Sequence, residues 1–261
     1  MSQIVLGSCI RQQADTLAVF LRDADRLKER VPQLKVILFE NDSLDETRTV
    51  LSRWAESRPH VSIVLHHKLL GSRTERLSVC RNTILRQVRH DAAAEYLVMM
   101  DSDYTQHVNI EAIVQSIRTH KDKTATFANT LPYHYDVWAL RHPAYSYSDV
   151  WRNGLLTYFT KWPLHIPEKS PPVEVRSAFN GIGIYRLSDV RQTECEYTGR
   201  YPDRYPICEH VPFHECLRLN VVNASLVINP RLHATTRSGS LFTVPGIHWL
   251  MLCAGLLILK V

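Results

Sequence analysis

A regular alternation of short apolar runs with amphipathic segments is the feature that most limits how this chain can fold. Ile4-Val5-Leu6-Gly7-Ser8-Cys9 is a buried-strand run, and Leu17, Phe20, Leu21, Ala24 and Leu27 follow it at helical spacing. Val36-Ile37-Leu38-Phe39 is a second run and ends in Glu40-Asn41-Asp42-Ser43. Ser43-Leu44-Asp45-Glu46 has the capping-box form, which predicts a helix start ahead of Val50, Leu51 and Trp54. Val61-Ser62-Ile63-Val64-Leu65 predicts a third strand, residues 74–89 a helix, and Tyr96-Leu97-Val98-Met99-Met100 a fourth strand. Ile110, Ile113, Val114 and Ile117 mark another helix, and residues 124–128 another strand. Strand and helix at this pace predict an α/β chain whose sheet is mainly parallel and flanked by helices.

Past residue 130 the periodicity fades. Residues 131–172 are rich in Tyr, Phe and Trp, with prolines and glycines between them, and read as a loop-rich region. Phe179-Asn180-Gly181-Ile182-Gly183-Ile184-Tyr185 re-enters the sheet, and Asn180-Gly181 permits positive φ or close backbone approach. A helix starts near Val211-Pro212, and Leu226-Val227-Ile228 is a last strand that ends before Asn229.

With 261 residues and a net charge of +5, the chain is long enough for a substantial core and only mildly basic. That charge suits an anionic small molecule. No block of like charge and no zinc-finger spacing appears, so nucleic acid is not an expected partner. The longest apolar run, 249–259, is too short to span a bilayer and reads as a core or surface-docking helix. The opening residues lack a signal peptide's basic start and apolar stretch. Cys9, Cys80, Cys195, Cys208, Cys216 and Cys253 are scattered, and free thiols in a reducing compartment are expected. No phosphate-loop or nucleophile-elbow motif occurs, which weighs against P-loop ATPases and serine hydrolases.

In open parallel sheets ligands sit past the carboxyl ends of the strands. Asp101-Ser102-Asp103 lies there, directly after a buried strand. In extended backbone i and i+2 point the same way, so two carboxylates converge and repel. A hard divalent cation, Mn²⁺ or Mg²⁺, removes that conflict; a turn with a helix cap is the plainer reading. On the 74–89 helix, stepping about 100° per residue puts Arg81 within the apolar arc of Leu77, Ile84 and Val88. An inward guanidinium requires an anion, either a ligand phosphate or a core carboxylate. Arg73 and Arg76 lie upstream on the same segment. Glu40 and Asp42 end the second strand as an acidic turn or as acceptors for ribose and base. Glu209 sits at a helix start, as a general base or as a favourable charge at a helix N-terminus. His233 follows the last strand and is a candidate third ligand for the cation. Cys208, His210, His214 and Cys216 match no familiar zinc spacing.

Taken together, these segments resemble glycosyltransferases of the GT-A fold. Leu38-Phe39-Glu40-Asn41-Asp42-Ser43 is similar to that family's nucleotide contact, Arg76 through Asn82 to its helix leading to the metal strand, and Leu97 through Asp103 to its Asp-x-Asp strand. Phe179-Asn180-Gly181 and Glu209-His210 fall where such enzymes build the acceptor side. The nearest group resembled is the fungal capsule-associated mannosyltransferase family, with related sugar transferases of large algal viruses. The resemblance covers roughly residues 3–235. It implies a mixed, mainly parallel GT-A-like sheet and an Mn²⁺ or Mg²⁺ cofactor. It also implies transfer from a UDP- or GDP-linked nucleoside diphosphate sugar to a hydroxyl of a glycan or glycoprotein acceptor. Residues 1–105 would bind the donor, 106–235 the acceptor, and 236–261 form a tail. Asp101 and Asp103, joined by His233, would hold the metal; Ser8, Glu40, Asp42, Arg73, Arg76, Arg81, Asp101 and Ser102 would contact the donor. Asp103 and Glu209 would act in catalysis, with Trp138, Tyr135 and Trp151 as acceptor candidates. A cytoplasmic enzyme is expected. The rivals are a sugar-nucleotide nucleotidyltransferase and a non-catalytic carbohydrate-binding protein.

Overall fold

The computed structural model describes residues 3–104, 108–130, 134, 136–142, 149 and 166–233. Among the described residues eight strands form one sheet: β1 (Gln3–Ile10), β2 (Lys35–Asn41), β3 (Val61–His66), β4 (Ala94–Met100), β5 (Ala125–Asn129), β6 (Val173–Glu174), β7 (Ile182–Arg186) and β8 (Leu226–His233). Their order is β3-β2-β1-β4-β7-β5-β8-β6. Pairs β1–β2, β1–β4, β2–β3 and β5–β8 are parallel; β7 runs antiparallel between β4 and β5, and β6 antiparallel to β8. The helices are α1 (Leu17–Arg30), α2 (Thr47–Ala55), α3 (Arg73–His90), α4 (Ile110–Thr119), α5 (Leu187–Val190) and α6 (His210–Asn220).

The period-2 rule sorts the sheet's two faces. Val5, Ile37, Phe39, Leu97 and Met99 belong to one core with Cys80, Ile84, Leu85 and Val88 of α3 and Val211, Phe213 and Leu217 of α6. Their neighbours Ile4, Leu6, Val36, Leu38 and Val98 belong to the other core, with Phe20, Ala24 and Leu27 of α1 and Ile113 and Ile117 of α4. Both faces are therefore covered by helices, as a largely parallel sheet requires. From β1 the chain passes outward to β2 and β3, then returns to place β4 on the other side of β1. The carboxyl ends of β1 and β4 flank this switch point, where the strand order reverses.

Three sequence expectations are corrected. Ser43 does not cap a helix, since α2 begins only at Thr47. The Ser43, Asp45 and Thr47 side chains instead accept hydrogen bonds from the backbone N–H groups of Gln12, Ala14 and Thr47's own partner Gln13, which ties the β1–α1 loop to the β2–α2 loop. The capping box forms on α3, between Ser72 and Glu75. The last strand does not stop before Asn229: β8 runs on to His233, and Pro230 fits because the β5–β8 register shifts there and β6 pairs only with Val227 and Ile228. Free thiols give way to two disulfides, Cys9–Cys80 and Cys195–Cys216, with Cys208 buried and free. Among the described residues no helix is long and apolar enough to cross a membrane. Tyr135, Trp151, Cys253 and the 249–259 run lie outside the described residues.

Candidate active site

The carboxyl end of β4 delivers Asp101, Ser102 and Asp103 to the switch point. Asp103 is exposed and Ser102 is buried. The Ser102 hydroxyl reaches the Gln13 side-chain oxygen at 2.5 Å and the Cys9 carbonyl at 3.3 Å, joining this turn to the end of β1. Gly181 fastens it from the other side. Its carbonyl accepts from the Asp101 N–H at 2.9 Å and from the Tyr104 hydroxyl at 2.5 Å. Asn180 and Gly181 both adopt positive φ, 57° and 87°, as the Asn-Gly reading allowed.

Arg81 projects from α3 into this corner. Its side chain is only 4% exposed, so the helical phase that placed it inward is observed. Its Nη2 lies 3.2 Å from Asp101 Oδ1, and its Nη1 pairs with Glu209, the N-cap residue of α6. The guanidinium also lies 5.0 Å from the Phe179 ring centroid. Of the two anions the sequence left open, core carboxylates fill the role here.

A third of the Asp101 side chain stays exposed. Burial by the surrounding protein pushes its carboxyl up to about 7; Arg81 opposes this, while the charge of Asp103 adds to it. Asp136 is a further acid of this corner, raised by burial and held by the N–H groups of Asn180 and Ala139. Asn180 returns the contact, its Oδ1 accepting from the Asp136 N–H at 3.2 Å. No motif pointed to Asp136, because it follows an aperiodic stretch and ends no strand. The only sequence signal near it was the Asn-Gly turn that it grips.

The other expected residues fall in different places. Ser8 is fully buried on β1, and its hydroxyl has no partner among the described residues. Glu40 is fully buried; its oxygens take the Ser43 N–H and Arg48. Asp42 accepts from the Lys68 and Leu69 N–H groups and from Asn41, which together hold its carboxyl down at about 2. Glu40 is thus committed to its own loop and Asp42 to the loop after β3. Arg76 gives Nη1 to the Gly71 carbonyl. Arg73 opens α3, close enough for its charge to act on Asp101 and Asp136. The His233 ring nitrogen Nε2 lies 2.7 Å from the Pro230 carbonyl of its own strand. Trp138 donates to Asp149 and packs against the core. His210 is buried, stacked on Phe179 at 3.7 Å, and held far below the ordinary imidazole range by burial and by Arg81.

Among the described residues no group of three or more His, Cys, Asp and Glu side chains gathers to hold a metal. The donors at hand are the Asp101 and Asp103 carboxylates. An oxygen-only set whose two acids share a corner suits a hard cation that takes its remaining ligands from a diphosphate and water. The residues present therefore fit Mn²⁺ or Mg²⁺.

No protein-family description and no curated protein matches this chain. Solved structures do. S. aureus TarS 1–349 in complex with UDP-GlcNAc superposes with a TM-score of 0.57 at 14% identity, over 92% of this chain and 60% of that one. The mannosyltransferase PcManGT from Pyrobaculum calidifontis, in complex with GDP-Man and Mn²⁺, gives 0.51 at 13% identity, over 87% of this chain and 56% of that one. This chain spans 60% or less of both. At such identity the likeness concerns the fold, and the fold is that of the GT-A-like glycosyltransferases: a mixed, mostly parallel eight-stranded sheet flanked by helices.

Proposed function

We propose that this chain is a metal-dependent glycosyltransferase that moves a sugar from a nucleoside diphosphate sugar to a hydroxyl of a glycan acceptor. The observation that carries this reading is the acidic pair Asp101 and Asp103 at the switch point of a GT-A-like sheet. One of those acids is already oriented by a buried arginine. The two neighbouring structures, bound to UDP-GlcNAc and to GDP-Man with Mn²⁺, support the donor class.

Asp101 and Asp103 would hold the cation; His233, expected as a third ligand, is left out, because its ring nitrogen lies against the Pro230 carbonyl and it does not gather with the two acids. A cation bound there supplies Lewis-acid neutralisation of the departing diphosphate. Arg73, at the start of α3, would meet the donor; Ser8 and Ser102, also expected there, are buried beneath the site. Residues 1–105 would then serve the donor and 106–235 the acceptor. Two disulfides favour an oxidising compartment over the cytoplasm.

The test is thermal unfolding with UDP and with GDP, each with and without Mn²⁺, followed by donor hydrolysis across a panel of nucleotide sugars. One nucleotide should stabilise the wild type only when Mn²⁺ is present, and Asp103→Ala should abolish that gain. Equal stabilisation in the variant would overturn the metal assignment. Glycan binding that needs neither nucleotide nor metal would favour a non-catalytic carbohydrate-binding protein.

A further inference from the structure

We infer that Glu209 is a positioning residue: it anchors the Arg81 guanidinium, and Arg81 in turn fixes one oxygen of Asp101 for the cation. The inference rests on the reading of the site as a metal-dependent glycosyltransferase and assigns the acid at the start of α6 a role other than proton transfer.

A general base must bring a free carboxylate oxygen within about 3 Å of the acceptor hydroxyl. The surroundings of Glu209 argue against that role. Its side chain is 4% exposed, and the Oε1 oxygen is paired with Arg81 Nη1. His210 flanks the same oxygen, its Nε2 3.8 Å away, and packs flat on Phe179. Burial and the Arg81 charge keep that imidazole neutral, so Glu209 faces Arg81 as its cation here.

Arg81 needs this partner. Removing a guanidinium from water is costly, and breaking a buried pair from one side leaves a charge without compensation. Asp101 alone is a poor counter-ion, since its carboxyl is partly open and would have to serve a metal as well. Glu209 carries the neutralisation, which leaves the second limb of the fork free to orient Asp101 Oδ1. Asp101 Oδ2 is then the oxygen available to a ligand.

The turn of α3 that bears Arg81 is itself held from both sides. Cys80 is bonded to Cys9 at the end of β1. Asn82 exchanges two hydrogen bonds with the Tyr197 backbone, Nδ2 donating at 2.9 Å and Oδ1 accepting at 2.7 Å. Phe179 lies under the guanidinium. The fork therefore has a fixed base and a fixed far end, the arrangement expected of an orienting arm.

Mn²⁺ affinity, measured from the free-ion electron paramagnetic resonance signal, and donor turnover across pH should be determined for wild type, Glu209→Gln and Glu209→Ala. Gln keeps an oxygen that accepts from Arg81 but not the charge that neutralises it, so this variant should weaken Mn²⁺ binding less than Glu209→Ala does and lose turnover only in proportion. Loss of an orienting partner typically weakens metal binding by about 10–100-fold, and Glu209→Ala should show a loss of that size. Because Glu209→Ala strands a buried charge, Glu209→Ala with Arg81→Met removes both members and keeps the test readable if the single variant unfolds; it too should bind Mn²⁺ weakly. A base would behave otherwise: both single variants would lose turnover by about 10²–10⁴-fold with Mn²⁺ affinity intact. That result, or wild-type Mn²⁺ affinity in the double variant, overturns the inference. Wild-type protein that binds no Mn²⁺ with or without nucleotide overturns the glycosyltransferase reading instead.

Discussion

The Gly181 carbonyl accepts the backbone N–H of Asp101, so the turn just before β7 sets where the first acid of the Asp101–Asp103 pair begins. The same carbonyl takes the Tyr104 hydroxyl, which closes the acidic segment at its far end. Gly181 has φ of 87°, and a Cβ added to it would lie 2.6 Å from that hydroxyl. Two separate costs therefore bar a side chain here: the left-handed backbone and the contact with Tyr104.

Gly181→Ala should destabilise the fold by more than about 1 kcal/mol, since alanine is strained at positive φ, and should weaken Mn²⁺ binding. Tyr104→Phe removes the clashing oxygen and should cost about 1 kcal/mol through the lost hydrogen bond. Adding Tyr104→Phe to Gly181→Ala should recover the steric part alone. Urea unfolding of the three variants checks this; a Gly181→Ala variant as stable as wild type would show that the turn relaxes freely.

Gly199 carries a purely steric version of the same argument. A Cβ there would lie 2.4 Å from the Glu75 backbone nitrogen and the Thr74 carbonyl carbon, because this segment lies directly on the start of α3. The Thr74 hydroxyl donates to the Gly199 carbonyl at 2.8 Å, and Arg200 pairs with Glu75. Backbone cannot give way as a flexible side chain can. Gly199→Ala should cost about 1–3 kcal/mol, the range for overpacking, and should lower the midpoint of chemical unfolding without changing Asp101 or Asp103 chemistry directly. An unchanged midpoint would mean that the two segments separate without penalty.

Much of the site was legible in the sequence, for reasons that differ by residue. The phase of α3 alone placed Arg81 inward, because a helix fixes the direction of every side chain once its apolar arc is known. The acidic triplet was visible because a buried strand leads straight into it. Which anion Arg81 meets was not legible, since Glu209 lies far along the chain and no local pattern reports that pairing. Glu40 and Asp42 illustrate the opposite limit. Acids past a parallel strand can face a ligand or tie down loops, their own or a neighbour's, and only the observed Ser43, Arg48, Lys68 and Leu69 contacts distinguish the two. The cysteines were misread because spacing carries no information on approach in space: Cys9 and Cys80 meet through the stacking of α3 on β1, as Cys195 and Cys216 do through the segment leading to α6.

The second of those disulfides yields a further prediction. Cys195 and Cys216 are 21 residues apart, and their bond closes the segment that carries Tyr197, Gly199 and Glu209. Loop-closure entropy for a link of that span is about 3 kcal/mol. Replacing both residues by serine should lower unfolding free energy by about that amount, read from denaturant melts. Hydrogen exchange should show the loss of protection concentrated around residues 193–210. Exchange that rises uniformly across the sheet would show that the link braces the whole domain rather than this strap.

The last prediction concerns acid. His214 is fully buried, with Nδ1 2.9 Å from the Ser177 hydroxyl and Nε2 2.9 Å from the Tyr185 hydroxyl. Burial, then the Arg81 charge, lowers its pKa from the ordinary 6.5 to about 3. A histidine depressed in the folded state is protonated first in the unfolded chain. Its contribution to stability is therefore complete above pH 6.5 and is lost progressively as pH falls from 6.5 towards 3, at up to about 1.4 kcal/mol per pH unit. His134, lowered to about 4 by burial, and His210, lowered well below its ordinary value, act in the same direction. Asp101 and Asp136, whose carboxyls are raised in the folded state, take up protons there and oppose this, so stability measured by urea unfolding from pH 7 to pH 4 should fall with a slope smaller than the three histidines alone would give. His214→Gln, which cannot take up that proton, should be less stable at pH 7 but lose about one proton from the slope. A slope identical to wild type would mean that His214 takes up its proton alike in the folded and unfolded chain, and that the polar chain from Ser177 to Tyr185 accommodates the imidazolium.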